Sequence, residues 1–226
     1  MSTDPVIQLE HAEIFQNDLH LVLKDVNLNI SRGEFVYLIG RVGSGKTSLI
    51  RTLNAELPLK TGHGTVAGFT LVKIKNSLRP KLRRKLGIVF QDFRLLDNIN
   101  VFENVAIALR IRGVDEREVK SKVFDALKLV SLRHKTDSYP TALSGGEQQR
   151  VAIARAIVSE PVIILADEPT GNVDPDTSAG IIRTFKEINA RGTTILLATH
   201  NRELFRNSGK RVLKLDFGNF AGEEIG

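Results

Sequence analysis

The feature that most constrains this chain is the run Gly40-Arg41-Val42-Gly43-Ser44-Gly45-Lys46-Thr47-Ser48. It follows the β-branched and aromatic segment Glu34 to Ile39 and precedes a stretch to Leu57 without glycine or proline, which predicts strand, turn and helix in that order. The glycines let successive backbone N–H groups turn inward without Cβ clashes, and the helix N-terminus adds donors and partial positive charge. A chance glycine-rich turn is the alternative, which the strand-to-helix setting disfavours.

Such a turn binds phosphate groups through its backbone. The run fits the pattern G-x-x-x-x-G-K-[ST], in which Lys46 supplies charge to the phosphates and Thr47 offers a hydroxyl to Mg²⁺. The sequence therefore predicts ATP as the ligand and assigns Lys46 a catalytic role as well. The predicted nucleotide contacts from this loop are Gly40, Arg41, Val42, Gly43, Ser44, Gly45, Lys46, Thr47 and Ser48.

Two acids end the apolar run Val162 to Ala166, as expected if a buried strand delivers them to the carboxyl edge of a sheet, where ligands bind. Asp167 is suited to the Mg²⁺ shell, and Glu168 to orienting and deprotonating a water that attacks the γ-phosphate. Alone, the pair could equally cap the next turn.

A second anion-binding segment is predicted at Leu143-Ser-Gly-Gly-Glu-Gln148, where a serine and two glycines open a predicted helix that continues to Ser159. Backbone N–H groups, a hydroxyl and the helix dipole would again point at a phosphate. The alternative is a simple helix cap.

The remaining pattern predicts an α/β fold with a largely parallel core sheet and an antiparallel N-terminal side sheet. Between Asp92 and Glu160 the period changes to helical, which predicts a helical subdomain inserted at about 92–160 of a single domain spanning 1–226. The expected helices there are Phe102 to Arg112, Asp115 to Leu132 and Glu147 to Ser159.

Composition sets limits rather than a function. A net charge of +6 permits contact with nucleic acid or an anionic membrane, although ATP also favours a basic protein. Without cysteine there is no disulfide framework and no cysteine metal site. We expect no signal peptide at Met1 to Gln8 and no spanning segment, because apolar runs fall far short of about 20 residues. A membrane role would then require a partner.

The order of these motifs resembles that of ABC-type ATPases over nearly the whole chain. The resemblance implies a P-loop nucleotide-binding domain with a RecA-like core, an antiparallel side sheet and an inserted helical subdomain. It also implies a homodimer with two ATP molecules at its interface, in which Ser144, Gly145, Gly146 and Glu147 contact the ATP held by the other subunit. One chain alone should therefore be a poor catalyst.

Weaker motifs gain roles from the same resemblance. Gln91 is similar to the residue that completes the Mg²⁺ shell together with Thr47 and Asp167, and His200 to the switch histidine at the γ-phosphate. Asp174, with Asn172, matches a loop that crosses the dimer interface, and an Asx turn opening a helix at Pro175 is compatible with that. Phe15 either stacks on adenine or is strand-end core.

Within the family, Gly87 to Leu96, with Asp92 directly after Gln91, is similar to the cell-division ATPases. That similarity implies a cytoplasmic protein, peripheral on the inner face of the membrane, that moves a polytopic membrane partner and so controls cell-wall hydrolases. No nucleic acid is expected as a partner. An apolar socket for the partner would use Phe93, Leu95, Leu96 and Phe102, each of which could instead be subdomain core.

Three alternatives stay open. Lipoprotein-releasing or macrolide-type transporter ATPases share every catalytic residue. DNA-handling ABC ATPases would explain the positive charge, but their long coiled-coil insertion has no counterpart here. A slow ATP-gated binding module is compatible with an intact Glu168. The basic run Arg79 to Lys85 is expected to be a solvated helix face, with anionic lipid contact as the functional reading.

Overall fold

The structure is a computed structural model that describes residues 5–16 and 20–226. Its strands are β1 (Pro5–Phe15), β2 (Leu21–Ser31), β3 (Phe35–Gly40), β4 (Thr61–Val66), β5 (Phe69–Thr70), β6 (Leu86–Val89), β7 (Ile163–Asp167), β8 (Thr194–Thr199), β9 (Arg211–Asp216) and β10 (Asn219–Ile225). Its α-helices are α1 (Lys46–Leu53), α2 (Arg79–Arg83), α3 (Val101–Arg110), α4 (Glu116–Leu129), α5 (Gly145–Ile157) and α6 (Pro175–Ala190).

The core sheet has the order β10-β9-β3-β8-β7-β6. Its five strands from β9 to β6 run parallel, and β10 returns antiparallel as a hairpin. Every residue of β7 and β8 is buried, which explains the apolar runs at 163–166 and 195–198 within them. A separate antiparallel sheet, β2-β1-β4-β5, covers one side, so the predicted α/β class and side sheet are confirmed.

Strand β3 shows how the sheet separates two apolar cores. Phe35 and Tyr37 face the core shared with α3 to α6, whereas Val36 and Leu38 face the core shared with α1, β1 and β2. This alternation is the two-residue period of a strand that is buried on both faces. The loop after Gly40 therefore begins at the end of a strand that is held between two apolar cores.

Along the chain, helices α3, α4 and α5 come after β6 and before β7, in the interval where the sequence predicts a helical subdomain. The three helices pack against one another. The subdomain boundary at about 92–160 stays a prediction. Asn100 and Asp115 cap α3 and α4, which is why those helices begin where they do. Helix α1 ends at Leu53, four residues early, because Ala55 adopts a left-handed φ of 56°.

One residue of the basic run at 79–85 makes contacts that the sequence did not predict. The Arg83 guanidinium donates hydrogen bonds to the carbonyl oxygens of Asn54 at 3.1 Å and Ala55 at 3.3 Å, beyond the end of α1. Arg83 therefore braces a helix C-terminus from an exposed position, so these contacts do not contradict the expected solvated face. Of the helices in residues 5–16 and 20–226, none combines the length and apolarity needed to cross a bilayer.

Candidate functional site

The phosphate loop connects β3 to α1 with no spacer, because α1 begins at Lys46. Gly43 and Gly45 have φ values of 81° and 101°, which glycine adopts without strain. A Cβ on Gly45 would lie 2.6 Å from the Leu23 side chain, so this position has no room for another residue. The Ser44 hydroxyl is buried and has no partner among the described residues. An unpaired donor in a loop of inward-turned backbone fits a phosphate-binding role.

Lys46 is held at the mouth of this loop. Its side chain is 6% exposed, and its ammonium donates to the carbonyl oxygens of Gly40 at 2.9 Å and Arg41 at 3.2 Å. The same ammonium lies 3.4 Å from a carboxylate oxygen of Glu168. The loop thus carries one fixed, buried positive charge whose anionic neighbour is Glu168.

Strand β7 delivers Asp167 to the carboxyl edge of the sheet, and Thr47 on α1 donates a hydrogen bond to its carboxylate. Burial raises the pKa of Asp167; the Thr47 hydrogen bond lowers it, and the charge of Glu168 raises it. Oxygen Oδ1 of Asp167 is buried without a partner in the described part of the chain. A carboxylate oxygen beside a hydroxyl is the donor set that a hard cation such as Mg²⁺ prefers, so these residues fit the metal.

Glu168 is the centre of the site. It follows β7 with a left-handed φ of 48°, and its side chain is only 12% exposed. One carboxylate oxygen lies 3.0 Å from His200 Nδ1 and 3.4 Å from the Lys46 ammonium, and the other accepts from the His200 backbone N–H at 3.3 Å. The structure therefore brings together residues from the phosphate loop, β7 and the end of β8.

Gln91 lies after β6 and is tied to the loop that follows the acid pair. Its amide donates to Asn172 Oδ1 at 3.4 Å, and Asn172 donates to the Gln91 carbonyl oxygen at 3.0 Å. This reciprocal pair links the segment that leads to α3 with the segment that leads to α6.

The signature segment opens α5. Ser144 is the N-cap, and it forms a capping box with Glu147: the Ser144 hydroxyl accepts from the Glu147 N–H at 3.3 Å, and the Glu147 carboxylate accepts from the Ser144 N–H at 2.8 Å. That backbone hydrogen bond lowers the pKa of Glu147. Glu147, predicted to contact nucleotide, is thus engaged in holding its own helix terminus.

The signature lies apart from the phosphate loop of the same chain. Within residues 5–16 and 20–226, no hydrogen bond or ion pair joins Ser144 to Glu147 with residues 40–48. Its glycines instead pack on the start of α6, because a Cβ on Gly145 would lie 3.5 Å from the Asn172 carbonyl oxygen and one on Gly146 2.4 Å from the Thr177 methyl.

Two other predicted residues have local partners. Asp174 caps α6, and its carboxylate accepts from the Thr177 hydroxyl at 2.6 Å and the Thr177 N–H at 2.9 Å; these bonds, the hydroxyl's first, lower the pKa of Asp174. Phe15 is half-buried at the end of β1, and the Lys60 ammonium lies 5.3 Å from its ring centroid. Adenine stacking by Phe15 stays a prediction.

Sequence reasoning missed the side chains that hold the segment after Gln91. Arg155 of α5 donates to the carbonyl oxygens of Phe93 at 2.7 Å and Arg94 at 2.5 Å, and both of those residues adopt left-handed φ values near 50°. Fully buried Asn104 of α3 accepts from the Leu96 N–H at 2.8 Å. A polar residue inside an apolar helical stripe was the available signal.

Replacing Asn104 by alanine is expected to destabilise the protein by about 3 kcal/mol. Its amide also donates to the carbonyl oxygens of Leu96, Ile99 and Asn100 at 3.0 to 3.1 Å, so the change strands several buried backbone groups. Differential scanning calorimetry should show a fall in Tm of roughly 6 to 12 °C for a domain of this size. Exposed Asn98→Ala is the matched control, and an equal Tm for the two variants would contradict this role.

The chain is similar in sequence to a known protein family and to individual members of it. Residues 23–171 match the family model described as ABC transporter. The chain is 47% identical over 202 residues to the cell division ATP-binding protein FtsE of Streptococcus pneumoniae serotype 2, covering 89% of this chain and 88% of that one. It is 46% identical over 202 residues to FtsE of Bacillus subtilis, covering 89% of each.

Among solved structures, the chain is similar to the dimeric post-hydrolysis state of the ATP-binding cassette MJ0796 bound to ADP and Pi. The TM-score is 0.87 at 32% sequence identity, and the match covers 97% of this chain and 98% of that one. The family model and this solved structure therefore indicate the same protein family.

Proposed function

This chain belongs to the ABC transporter family of ATPases and is FtsE-like, and from that premise we propose that it is the ATP-hydrolysing subunit of an FtsEX-like complex of cell division. In this proposal ATP closes a homodimer, and closure moves an FtsX-like polytopic membrane protein that controls peptidoglycan hydrolases. The protein would be cytoplasmic and bound to the inner face of the membrane through that partner. The observation that carries the ATPase mechanism is the convergence of Lys46, Glu168 and His200 beside the phosphate loop.

ATP binding would use the backbone of the phosphate loop and the Lys46 ammonium. Because Lys46 is paired with Glu168 at 3.4 Å, phosphate oxygens compete with that carboxylate for the same charge. Binding would therefore take the Lys46 ammonium away from this oxygen of Glu168, which His200 Nδ1 still contacts at 3.0 Å. ATP binding would thereby free Glu168 from its ion pair with Lys46, so that the carboxylate can accept a proton from water.

Thr47, Asp167 and Gln91 are the residues that would hold Mg²⁺, and the unpartnered Oδ1 of Asp167 supports this assignment. The ion, when bound, neutralises charge on the phosphate oxygens. The Gln91 side chain is hydrogen-bonded to Asn172, so its position depends on the loop that leads to α6.

Glu168 is the proposed general base. Its left-handed backbone turns the side chain back toward the phosphate loop, and hydrogen bonds from His200 fix its orientation. His200 is half exposed, so it can face both Glu168 and a γ-phosphate in the loop. These residues would align and deprotonate the attacking water.

The dimer completes the site. In one chain the signature packs on α6 and has no bond to the phosphate loop in the described residues, so the second face of the ATP must come from another copy. The dimeric cassette with ADP and Pi at TM-score 0.87 supports this arrangement. The helix cap at Ser144 would then present backbone donors and a partial positive charge to the ATP of the partner.

Ser144→Arg tests the sandwich. We expect ATP to bind the monomer as before, because Ser144 lies outside its own phosphate loop, and we expect the ATP-dependent dimer to be lost. Equilibrium binding of a fluorescent ATP analogue and light scattering after size exclusion measure the two effects. Arg133→Ser, a change of similar size at an exposed residue of the same region, should leave both unchanged. Normal closure of the Ser144 variant would count against the sandwich.

Of the four apolar residues predicted to contact a membrane partner, the proposed contact surface keeps fewer than four. Leu96 is 43% exposed, whereas Leu95 and Phe102 pack on the apolar core and the Phe102 ring lies 5.8 Å from that of Phe124. Phe93 turns toward Gly145. Leu96 is thus the apolar side chain of this group best placed to meet a membrane protein.

Affinity capture identifies the partner. The Glu168→Gln protein with Mg-ATP is recovered from native membranes in mild detergent, and co-purifying proteins are identified by mass spectrometry. An FtsX-like membrane protein would support the cell-division role. A lipoprotein-releasing or macrolide-type permease would keep the ATPase mechanism and move the output to export.

A further inference from the structure

The tip of the β9–β10 hairpin is unusual. Asp216 pairs with Asn219, and the two residues between them, Phe217 and Gly218, have φ values of 45° and 77°. Two positive φ values in a two-residue hairpin are typical of a type I′ turn, whose first position strongly prefers asparagine, aspartate or glycine. Phe217 occupies that position and leaves its side chain 82% exposed. A bulky residue in a left-handed conformation with an unburied ring calls for a reason outside local folding.

The hairpin tip is held in place. The Lys24 N–H donates to the Gly218 carbonyl oxygen at 3.0 Å, and a Cβ on Gly218 would lie 2.7 Å from the Val22 carbonyl oxygen. The tip is therefore clamped to β2, and its neighbour Phe217 is presented on a fixed support.

The ring is presented beside the phosphate loop. Strand β9 pairs with β3 up to Leu215 opposite Gly40, so the hairpin tip and the loop leave the sheet together. The Arg41 guanidinium lies 5.9 Å from the Phe217 ring centroid, within cation–π range, and the next residue, Val42, is 88% exposed. Phe217, Arg41 and Val42 form one exposed surface with apolar and positive character, which we call the tip platform.

A second copy of this chain has a matching surface. The signature glycines pack on the start of α6, so any subunit that brings its Ser144 to a phosphate loop also brings residues 173–176 there. In that segment Asp174, Pro175 and Asp176 are exposed, and Val173 is half-buried. Two carboxylates flanking a proline complement an arginine stacked on a phenyl ring in both charge and polarity.

We propose that the tip platform is a docking site for residues 173–176 of a second copy, with Phe217 as its anchor. The proposal rests on the ATP-closed homodimer of the proposed function and adds a protein–protein contact at Phe217, which is not among the predicted nucleotide contacts. The strained turn then has a reason, because the ring that cannot be buried within one chain is buried between two.

Phe217→Asn is the decisive variant, since asparagine suits this turn and the fold should be as stable as before. Variants are made in the Glu168→Gln background, and the dimer dissociation constant with Mg-ATP is measured by analytical ultracentrifugation. We expect dimerisation to weaken at least about 10-fold, Phe217→Tyr to restore it, and ATP affinity of the monomer to stay unchanged. Ile225→Asn removes another exposed apolar side chain at the far end of β10 and should have no effect.

The chain has no cysteine, which allows a direct check. A Phe217→Cys and Asp176→Cys double variant should form a disulfide between subunits only with Mg-ATP. An unchanged dimer constant for Phe217→Asn, or absence of the cross-link, overturns this inference alone. Weaker ATP binding by the Phe217→Asn monomer also overturns it, because the ring would then contact nucleotide. A Glu168→Gln parent that stays monomeric overturns the homodimer of the proposed function as well.

Discussion

Glu168→Gln is expected to lower ATP turnover by about 10²-fold or more while ATP still binds. The amide keeps the shape of the side chain and can still accept from the His200 N–H, but it cannot take a proton from water. The change also removes the carboxylate that lies 3.4 Å from the Lys46 ammonium, so phosphate no longer competes for that charge. ATP affinity should be retained or increased, and the closed dimer should accumulate.

Single-turnover phosphate release and equilibrium nucleotide binding measure the two effects separately. Glu160→Gln is the matched control, because that carboxylate is 77% exposed and pairs only with Lys122 and not with the site. Its turnover should stay within about twofold of the unaltered protein. Turnover near the original rate in Glu168→Gln would remove Glu168 from the role of general base.

Lys46→Ala is expected to weaken ATP binding by at least about 10²-fold, which corresponds to roughly 2.7 kcal/mol. Two effects combine: the phosphates lose a buried cation, and Glu168, at 12% exposure, keeps a negative charge without its ammonium neighbour and repels them. Equilibrium titration with a fluorescent ATP analogue measures the loss. Exposed Lys186→Ala, with the same change in net charge, should bind ATP normally.

A second variant separates the two effects. If the unpaired carboxylate contributes, Lys46→Ala combined with Glu168→Gln should bind ATP more tightly than Lys46→Ala alone. Equal affinity of the single and double variants would show that the carboxylate adds no repulsion. ATP binding by Lys46→Ala at the original affinity would contradict the assignment of the phosphate loop itself.

Phe217 gives the proposed dimer a test at a residue that is not among the predicted nucleotide contacts. Phosphate loop and signature both act through ATP, so changing them alters binding, closure and turnover together. Phe217 lies at the hairpin tip beside Arg41, whereas Lys46 and Glu168 pair with each other. A contact between subunits at Phe217 would let closure be weakened while the catalytic residues stay intact.

The amino-acid sequence by itself determined the elements whose cause is local. The phosphate loop could be identified because its strand, glycines and helix are contiguous, and a positive φ at Gly43 and Gly45 is a property of glycine itself. Buried strand β7 was recognisable as an apolar run, and Asp167 and Glu168 were identified by their place at its end. These local patterns were sufficient to predict the fold class.

Only the tertiary structure decided which side chains meet. Glu168 lies between Lys46 and His200, which are 122 and 32 residues away along the chain (168 − 46 and 200 − 168), and no periodicity records such pairs. Arg83 proved to brace the end of α1, and Asn104 to hold the segment around Leu96. A polar side chain can form equivalent hydrogen bonds with many groups of the chain. The packing of distant elements decides which of these groups it meets. The position of the exposed Phe217 ring beside Arg41 is the same case, since it exists only once β9 has paired with β3.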